Sequence, residues 1–323
     1  MELIYRQEKD RWIAGDRYIR RVLRPIIHRK RSRLSGMEMV VNNFRRGLEC
    51  KGISYRFNSM PMLIKSSSKV ISFGLGSDGV VGLNRHTPVI AAIGFPYPEE
   101  FPDLCERYNV KKFLLHSQWV LNFVKSANLY NEDILDLWQA GIDTNEWKPS
   151  LNREIKETDV LLYIKVHWDK EAREKDLVEP IKSFLTLHNF SFEEIRYGQY
   201  TTSDYKDKLA RCKTMIFLSA HESQGLACQE CMSFDVPVIA WDPGFWLDPD
   251  RLKYGKKFVP ATSVPFFDER CGVTFQDSAD FENKFVFFFD QVQAERYSPR
   301  EFIVENLSIE KSTERMLEIY NSI

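Results

Sequence analysis

The stretch that most restricts the fold is residues 215–242, MIFLSAHESQGLACQECMSFDVPVIAWD. It opens with an apolar run, 215–218, of the length of a buried strand. A polar loop, 219–224, leads to Gly225. Residues 226–234 then have the length and apolar spacing of a short helix, and 236–241 form a second apolar run. Strand, loop, helix and strand in this order predict a βαβ unit, and such units build parallel sheets. Ligands of open parallel sheets bind at the carboxyl ends of strands, where loops meet helix starts. Glu222, Ser223, Gln224, Gly225 and Leu226 are expected there.

The residue types at that place suggest a chemistry. Amides at a helix start have no helical partner and carry partial positive charge, so they bind phosphate. Gly225 allows close backbone approach. A carboxylate beside such a site serves something other than phosphate; it accepts hydrogen bonds from hydroxyls. A nucleotide-sugar satisfies both demands, with the amides on its diphosphate, Glu230 on the ribose and Glu222 near the transferred sugar. Glu222 and Glu230 form a Glu-x7-Glu pair. Two glutamates at this separation also arise by chance in an ordinary surface loop, so the whole strand-loop-glycine-helix context carries the reading.

SAHESQGLACQECMSFDVPVIAWDPG resembles the donor-site motif of retaining GT-B glycosyltransferases, in particular family 4, which reads roughly S-x-x-E-(S/G)-x-G-x-x-x-x-E-A-M-A-x-G-x-P-V-I-A. The sequence departs at Cys231, where alanine is usual, and at Asp235, where glycine is usual and makes the turn before the second strand. A second match, 140–149 (AGIDTNEWKP), resembles the segment that leads into the family's interdomain linker. The resemblance covers the chain from about residue 70 onward. It implies an α/β protein of the GT-B class, two Rossmann-like parallel-sheet domains facing a central cleft. The expected domains are 1–149 on the acceptor side, 150–305 binding the nucleotide-sugar, and a helix, 306–323, packing back toward the first.

The resemblance also implies an activity: a hexose-type sugar moves from a UDP- or GDP-linked donor to a hydroxyl on a glycan or lipid-linked acceptor, with retained configuration. In the family, cations after the first strand of the second domain contact the donor phosphates. Lys165 stands at one of these positions, and Lys170 or Arg173 at the other. Lys165, Lys170 and the amides near Gly225 are then expected to stabilise the leaving diphosphate, without a metal or other cofactor. The leaving phosphate is expected to deprotonate the acceptor, and no protein nucleophile is assigned.

Other features bound this reading. A chain of 323 residues predicts about two domains. No apolar run approaches the ~18 residues that span a bilayer, and the charged N-terminus does not read as a secretion signal. Six cysteines without a framework read as free thiols of a cytoplasmic protein. Residues 1–57 hold 15 Lys/Arg against 6 Asp/Glu, and the basic run 28–33 offers a peripheral contact to an anionic membrane surface or acceptor. No nucleic-acid partner is expected.

Upstream, 35–38 reads as a capping box that opens a helix, and 53–57, 70–73, 89–92 and 113–116 read as strands. Residues 1–15 show no periodicity. Residues 74–79 spell G-x-G-x-x-G after a strand, but the following segment is too short for the crossover helix of a dinucleotide fold. Gly74 and Gly76 are therefore placed at the cleft as part of the donor site. A dehydrogenase would rest on those glycines, a nucleotide-sugar epimerase on His86 and His116, and a non-catalytic sugar-binding protein on neither. Asp248-Pro-Asp250 matches the metal-binding D-x-D of another glycosyltransferase class but lies in a turn-forming context. Cys228 and Cys231 make a C-x-x-C with no second pair for zinc.

Overall fold

The computed structural model of the protein describes residues 1–6, 13, 19, 36–74, 80, 82–92, 104–149 and 156–323. The basic run 28–33, Ser35 of the capping box, Gly76 with the rest of 75–79, and 94–98 lie outside the described residues. The chain divides into two units, Met1–Gly141 with Ser312–Ile323, and Ile142–Lys311.

The first unit is built on six parallel strands: β1 (Glu2–Arg6), β2 (Arg56–Phe57), β3 (Val70–Gly74), β4 (Val89–Ala91), β5 (Val110–Leu115) and β6 (Leu135–Leu137). Their spatial order is β2-β1-β3-β4-β5-β6. β1 pairs with β3 from Glu2↔Val70 to Arg6↔Gly74. Leu3, Ile4 and Tyr5 are all buried, so both faces of β1 are covered. A strand covered on both faces has no reason to alternate, which is why residues 2–6 gave no period. Helix α1 (Gly36–Cys50) lays Val40, Val41, Phe44 and Leu48 inward. Its Phe44 ring meets Phe73 at 5.6 Å and Trp138 at 5.9 Å. Helix α2 (Gln118–Ser126) buries Trp119, Val120, Phe123 and Val124.

The second unit has five parallel strands: β7 (Thr158–Lys165), β8 (Phe192–Arg196), β9 (Cys212–Ser219), β10 (Val238–Trp241) and β11 (Gly272–Phe275), in the order β11-β10-β9-β7-β8. The chain winds from β7 outward to β8, then returns to β9 on the other side of β7. Winding therefore reverses between β7 and β9, the kind of place where doubly wound sheets hold ligands. The helical run after β7 comprises Lys170–Arg173, a wide turn Glu174–Val178, and helix α3 (Glu179–Leu187). The wide turn stands just ahead of Pro180, which has no N–H to offer the turn before it. Helices α4 (Thr202–Arg211) and α5 (Leu226–Ser233) flank β9.

Helix α6 (Ser278–Gln293) supplies Phe281, Phe285 and Phe288 to the core, and Phe184 of α3 meets the first two at 5.5 and 5.9 Å. Each such ring contributes about 1.5–3 kcal/mol by leaving water. Helix α7 (Pro299–Asn306) follows. The last helix, α8 (Ile309–Asn321), ends in the first unit. There the Trp138 indole N–H donates to the Ser312 carbonyl at 2.9 Å, and Arg315 reaches Asp136 at 2.6 Å.

The turn between α5 and β10 is made despite the missing glycine. Asp235 adopts φ 59° and donates its N–H to Met232 at 2.9 Å. Aspartate tolerates the left-handed region better than most side chains.

Candidate functional site

The site is assembled where β7 and β9 end side by side. Lys165 closes β7 and is in register with Ser219, which closes β9. The loop after Ser219 brings Glu222 back over that edge. The Lys165 ammonium donates to both Glu222 carboxylate oxygens, at 2.7 and 2.8 Å. The Ser219 hydroxyl donates to Glu222 Oε1 at 2.7 Å. The Lys165 and Glu222 side chains are only 20 % and 11 % exposed, so their attraction is less screened than that of a surface pair. The Glu222 N–H donates to the Thr262 carbonyl at 3.0 Å, and the Thr262 hydroxyl donates to Asp242, after β10, at 2.6 Å. The carboxyl ends of three adjacent strands are thus tied into one floor.

Gly225 takes φ 79° at the N-cap of α5 and has no side chain with which to cap the amides of Leu226, Ala227 and Cys228. These amides begin beside Glu222, whose Cβ lies 3.6 Å from where a Cβ on Gly225 would stand. Behind them the Gln229 amide donates to the Gln224 carbonyl at 2.6 Å and the Gln224 amide donates back to Gln229 at 2.9 Å, fixing the loop to the helix. Ser223 is half-buried in the loop and Leu226 opens the helix. Glu230 lies further along α5 and is 6 % exposed. Lys170 is exposed at the start of its helical turn. Gly74 ends β3 of the first unit, at the point where that sheet also reverses its winding. Gly76 lies outside the described residues.

Sequence reasoning missed an aromatic group around this floor. The Lys165 ammonium lies 4.8 Å from the centre of the Tyr197 ring, a cation–π contact at the end of β8. Trp168 stacks on His221 at 5.0 Å, His167 stands edge-on to both Trp168 and Tyr197, and Trp246 meets His221 at 6.1 Å. The signal was His167-Trp168 just past Val166, the residue after β7, and His221 directly before Glu222.

Burial, then the positive Lys165 and His167 nearby, push the His221 imidazole down to about 4 from 6.5. The unfolded chain takes up this proton near 6.5 and the folded chain only near 4. Between those values the unfolded state binds more protons, so stability falls as pH is lowered through the window. The expected loss is on the order of 1–3 kcal/mol, fully absent above the upper value. Denaturant melts of the protein and of His221→Phe across the window check this; the variant should show a flatter acid limb.

Other sequence signals have structural explanations. Asp248 caps the turn Pro249–Tyr254 by accepting from the Asp250 N–H at 2.9 Å, and Asp250 pairs with Lys253 at 3.0 Å. Cys228 and Cys231 are buried in α5, and burial pushes both thiols well up. His116 is buried beside Trp138, whose carbonyl lies 3.1 Å from Nδ1, and burial lowers its pKa. Among the described residues no group of three His, Cys, Asp or Glu is placed to hold a metal ion. Among the same residues no helix is long and apolar enough to cross a membrane.

No protein-family model and no curated protein sequence matches the chain. Solved structures do. HepE from Anabaena, solved with UDP and glucose, superposes with a TM-score of 0.56 at 11% identity over 100% of both chains. The lipopolysaccharide outer core galactosyltransferase WaaB, in its apo form, gives 0.56 at 12% identity, again over 100% of both. TarM gives 0.58 at 16% identity over 81% of this chain, which spans only 57% of TarM. The chain therefore has the GT-B fold, two Rossmann-like parallel-sheet α/β units.

Proposed function

We propose that the protein is a glycosyltransferase that moves a hexose-type sugar from a UDP- or GDP-linked donor to a glycan or lipid-linked hydroxyl, with retained configuration. The observation that carries this is the floor between β7 and β9. There an uncapped helix start, a lysine and a carboxylate converge at the reversal point of a doubly wound sheet. HepE, a structural neighbour, was solved with UDP-glucose, and this supports a nucleotide-sugar for the same fold.

On this reading the diphosphate lies against the amides of residues 226–228 and draws the Lys165 ammonium away from Glu222. The freed carboxylate then accepts from hydroxyls of the sugar, and Ser219 keeps one of its oxygens in place. As the bond to the sugar's anomeric carbon breaks, negative charge grows on the leaving phosphate, and Lys165, the amides and Lys170 stabilise it more than they stabilise the bound donor. The acceptor oxygen bonds to the anomeric carbon on the face the phosphate leaves, and the leaving phosphate takes the acceptor's proton. These cations, rather than a metal ion, neutralise the diphosphate. Glu230 accepts from the ribose hydroxyls.

Thermal shifts with UDP- and GDP-sugars identify the donor; the matching one should raise the melting temperature. Glu230→Ala should then weaken donor binding about 10- to 100-fold by calorimetry with the fold intact, as loss of a charged hydrogen-bond acceptor does. An unchanged affinity would reject the ribose role.

A further inference from the structure

Three large apolar side chains stand out of a single turn of the first unit. Met60 is 61 %, Met62 85 % and Leu63 67 % exposed. They belong to the tight turn Pro61–Leu63 and its N-cap, between β2 and β3. The turn is held from behind. The Leu63 N–H donates to Met60 at 2.9 Å and the Ile64 N–H to Pro61 at 3.1 Å. The Ile64 side chain is buried, and Pro61 lies 3.4 Å from where a Cβ on Gly82 would stand. The backbone is anchored while the three tips face outward.

The charge left facing solvent beside the turn is basic. Arg56 is paired with Glu2, Lys51 with Glu314, and Lys69 donates to the Tyr320 carbonyl, so the cations that bear on the turn are Lys65 and Arg85. Lys65 is exposed two residues beyond Leu63, and Arg85 is exposed in the segment that carries Gly82.

We propose that this turn docks the protein on an anionic lipid bilayer. Met60, Met62 and Leu63 enter the boundary between headgroups and chains, while Lys65 and Arg85 reach lipid phosphates. Apolar tips flanked by cations match the two layers of such a surface. A partner protein fits less well: a stable interface takes about 800 Å² from each side, and three side chains on one turn supply only part of that. A polyanion such as nucleic acid would engage the cations and leave the methionines in water. The proposal does not depend on sugar transfer, and its test contains no donor.

The test is sedimentation of the full chain with vesicles of equal parts phosphatidylcholine and phosphatidylglycerol. The protein should bind these, and bind vesicles of phosphatidylcholine alone more weakly. Met62→Glu with Leu63→Glu should lower the bound fraction about tenfold or more, since two side chains lose their transfer from water. Met62→Ser with Leu63→Ser should fall between. Both changes lie on exposed tips and should leave the melting temperature unchanged. Leu252→Glu with Phe258→Glu alters a second exposed apolar and basic segment, in the other unit, and should leave binding intact. Failure of the unaltered protein to bind, or binding that survives the Met62 and Leu63 changes, would overturn the proposal. So would a loss seen only in the Leu252 and Phe258 variant, or a dimer by light scattering that Met62→Glu separates.

Discussion

Glu222→Gln is expected to slow sugar transfer about two to three orders of magnitude, comparable to the loss of a single charge-stabilising donor in other enzymes. It should also lower the melting temperature. The amide cannot balance the Lys165 ammonium, which sits 2.7 and 2.8 Å from the two carboxylate oxygens and is 20 % exposed. Breaking a fully buried pair in this way costs about 3–5 kcal/mol. Here both side chains retain some water, so the cost should lie at or below the lower end. Stability and turnover are separated by the double variant Lys165→Met, Glu222→Leu. Replacing both charges with apolar groups removes the unpaired charge, and the melting temperature should recover. Turnover should not, because on the proposed reading the diphosphate loses its cation and the sugar its acceptor. A double variant that regains both would make the pair a structural strut and end its catalytic assignment.

The same pair shows where sequence reading stops. Lys165 and Glu222 were each legible: one ends an apolar strand, the other precedes a glycine and a helix. Their bond to one another was not. It requires β7 and β9 to be neighbours in the register Lys165↔Ser219, and neighbour choice is a property of the whole sheet. The aromatic group was missed for a related reason. Trp168, Tyr197, His221 and Trp246 lie in four separate loops, and only the common carboxyl edge of the sheet brings them together. Glu230 was legible as a helical residue about one and a half turns beyond Gly225, but its burial depends on how α5 packs.

Fold class was legible for a physical reason. Strands such as β7 and β9 are apolar along most of their length because helices cover both faces, and each is followed by a segment of helical period. The same coverage hid β1, whose short run of Leu3, Ile4 and Tyr5 has neither period nor a clear helix behind it in sequence. β6 and β11 lie at sheet edges, are three and four residues long, and include half-buried positions, so they offered little pattern. Asp235 illustrates the opposite case. The motif asked for glycine, and the turn forms because an aspartate can occupy the same backbone region.

Gly272→Ala is expected to have the largest effect on stability, at a position far from the reacting groups in sequence. Gly272 opens β11 with φ 139°, a region that side chains rarely occupy. An added Cβ would fall 1.9 Å from the Val238 carbonyl oxygen and 2.8 Å from its carbon. Both atoms are main chain of β10, in register with Gly272, so nothing flexible can turn aside. The strands must part or the backbone must twist, and a cost above about 4 kcal/mol follows. Val273→Ala is the comparison. It removes two carbons from the same strand without meeting β10, and should cost about 1–2 kcal/mol. Denaturant melts distinguish the two. The difference reaches the site, because Asp242 directly after β10 holds Thr262, and Thr262 receives the Glu222 N–H. Any Gly272→Ala protein that remains folded should therefore bind donor more weakly than Val273→Ala. Equal stability of the two variants would mean that β11 is free to peel from β10, and that the floor under Glu222 does not depend on that edge.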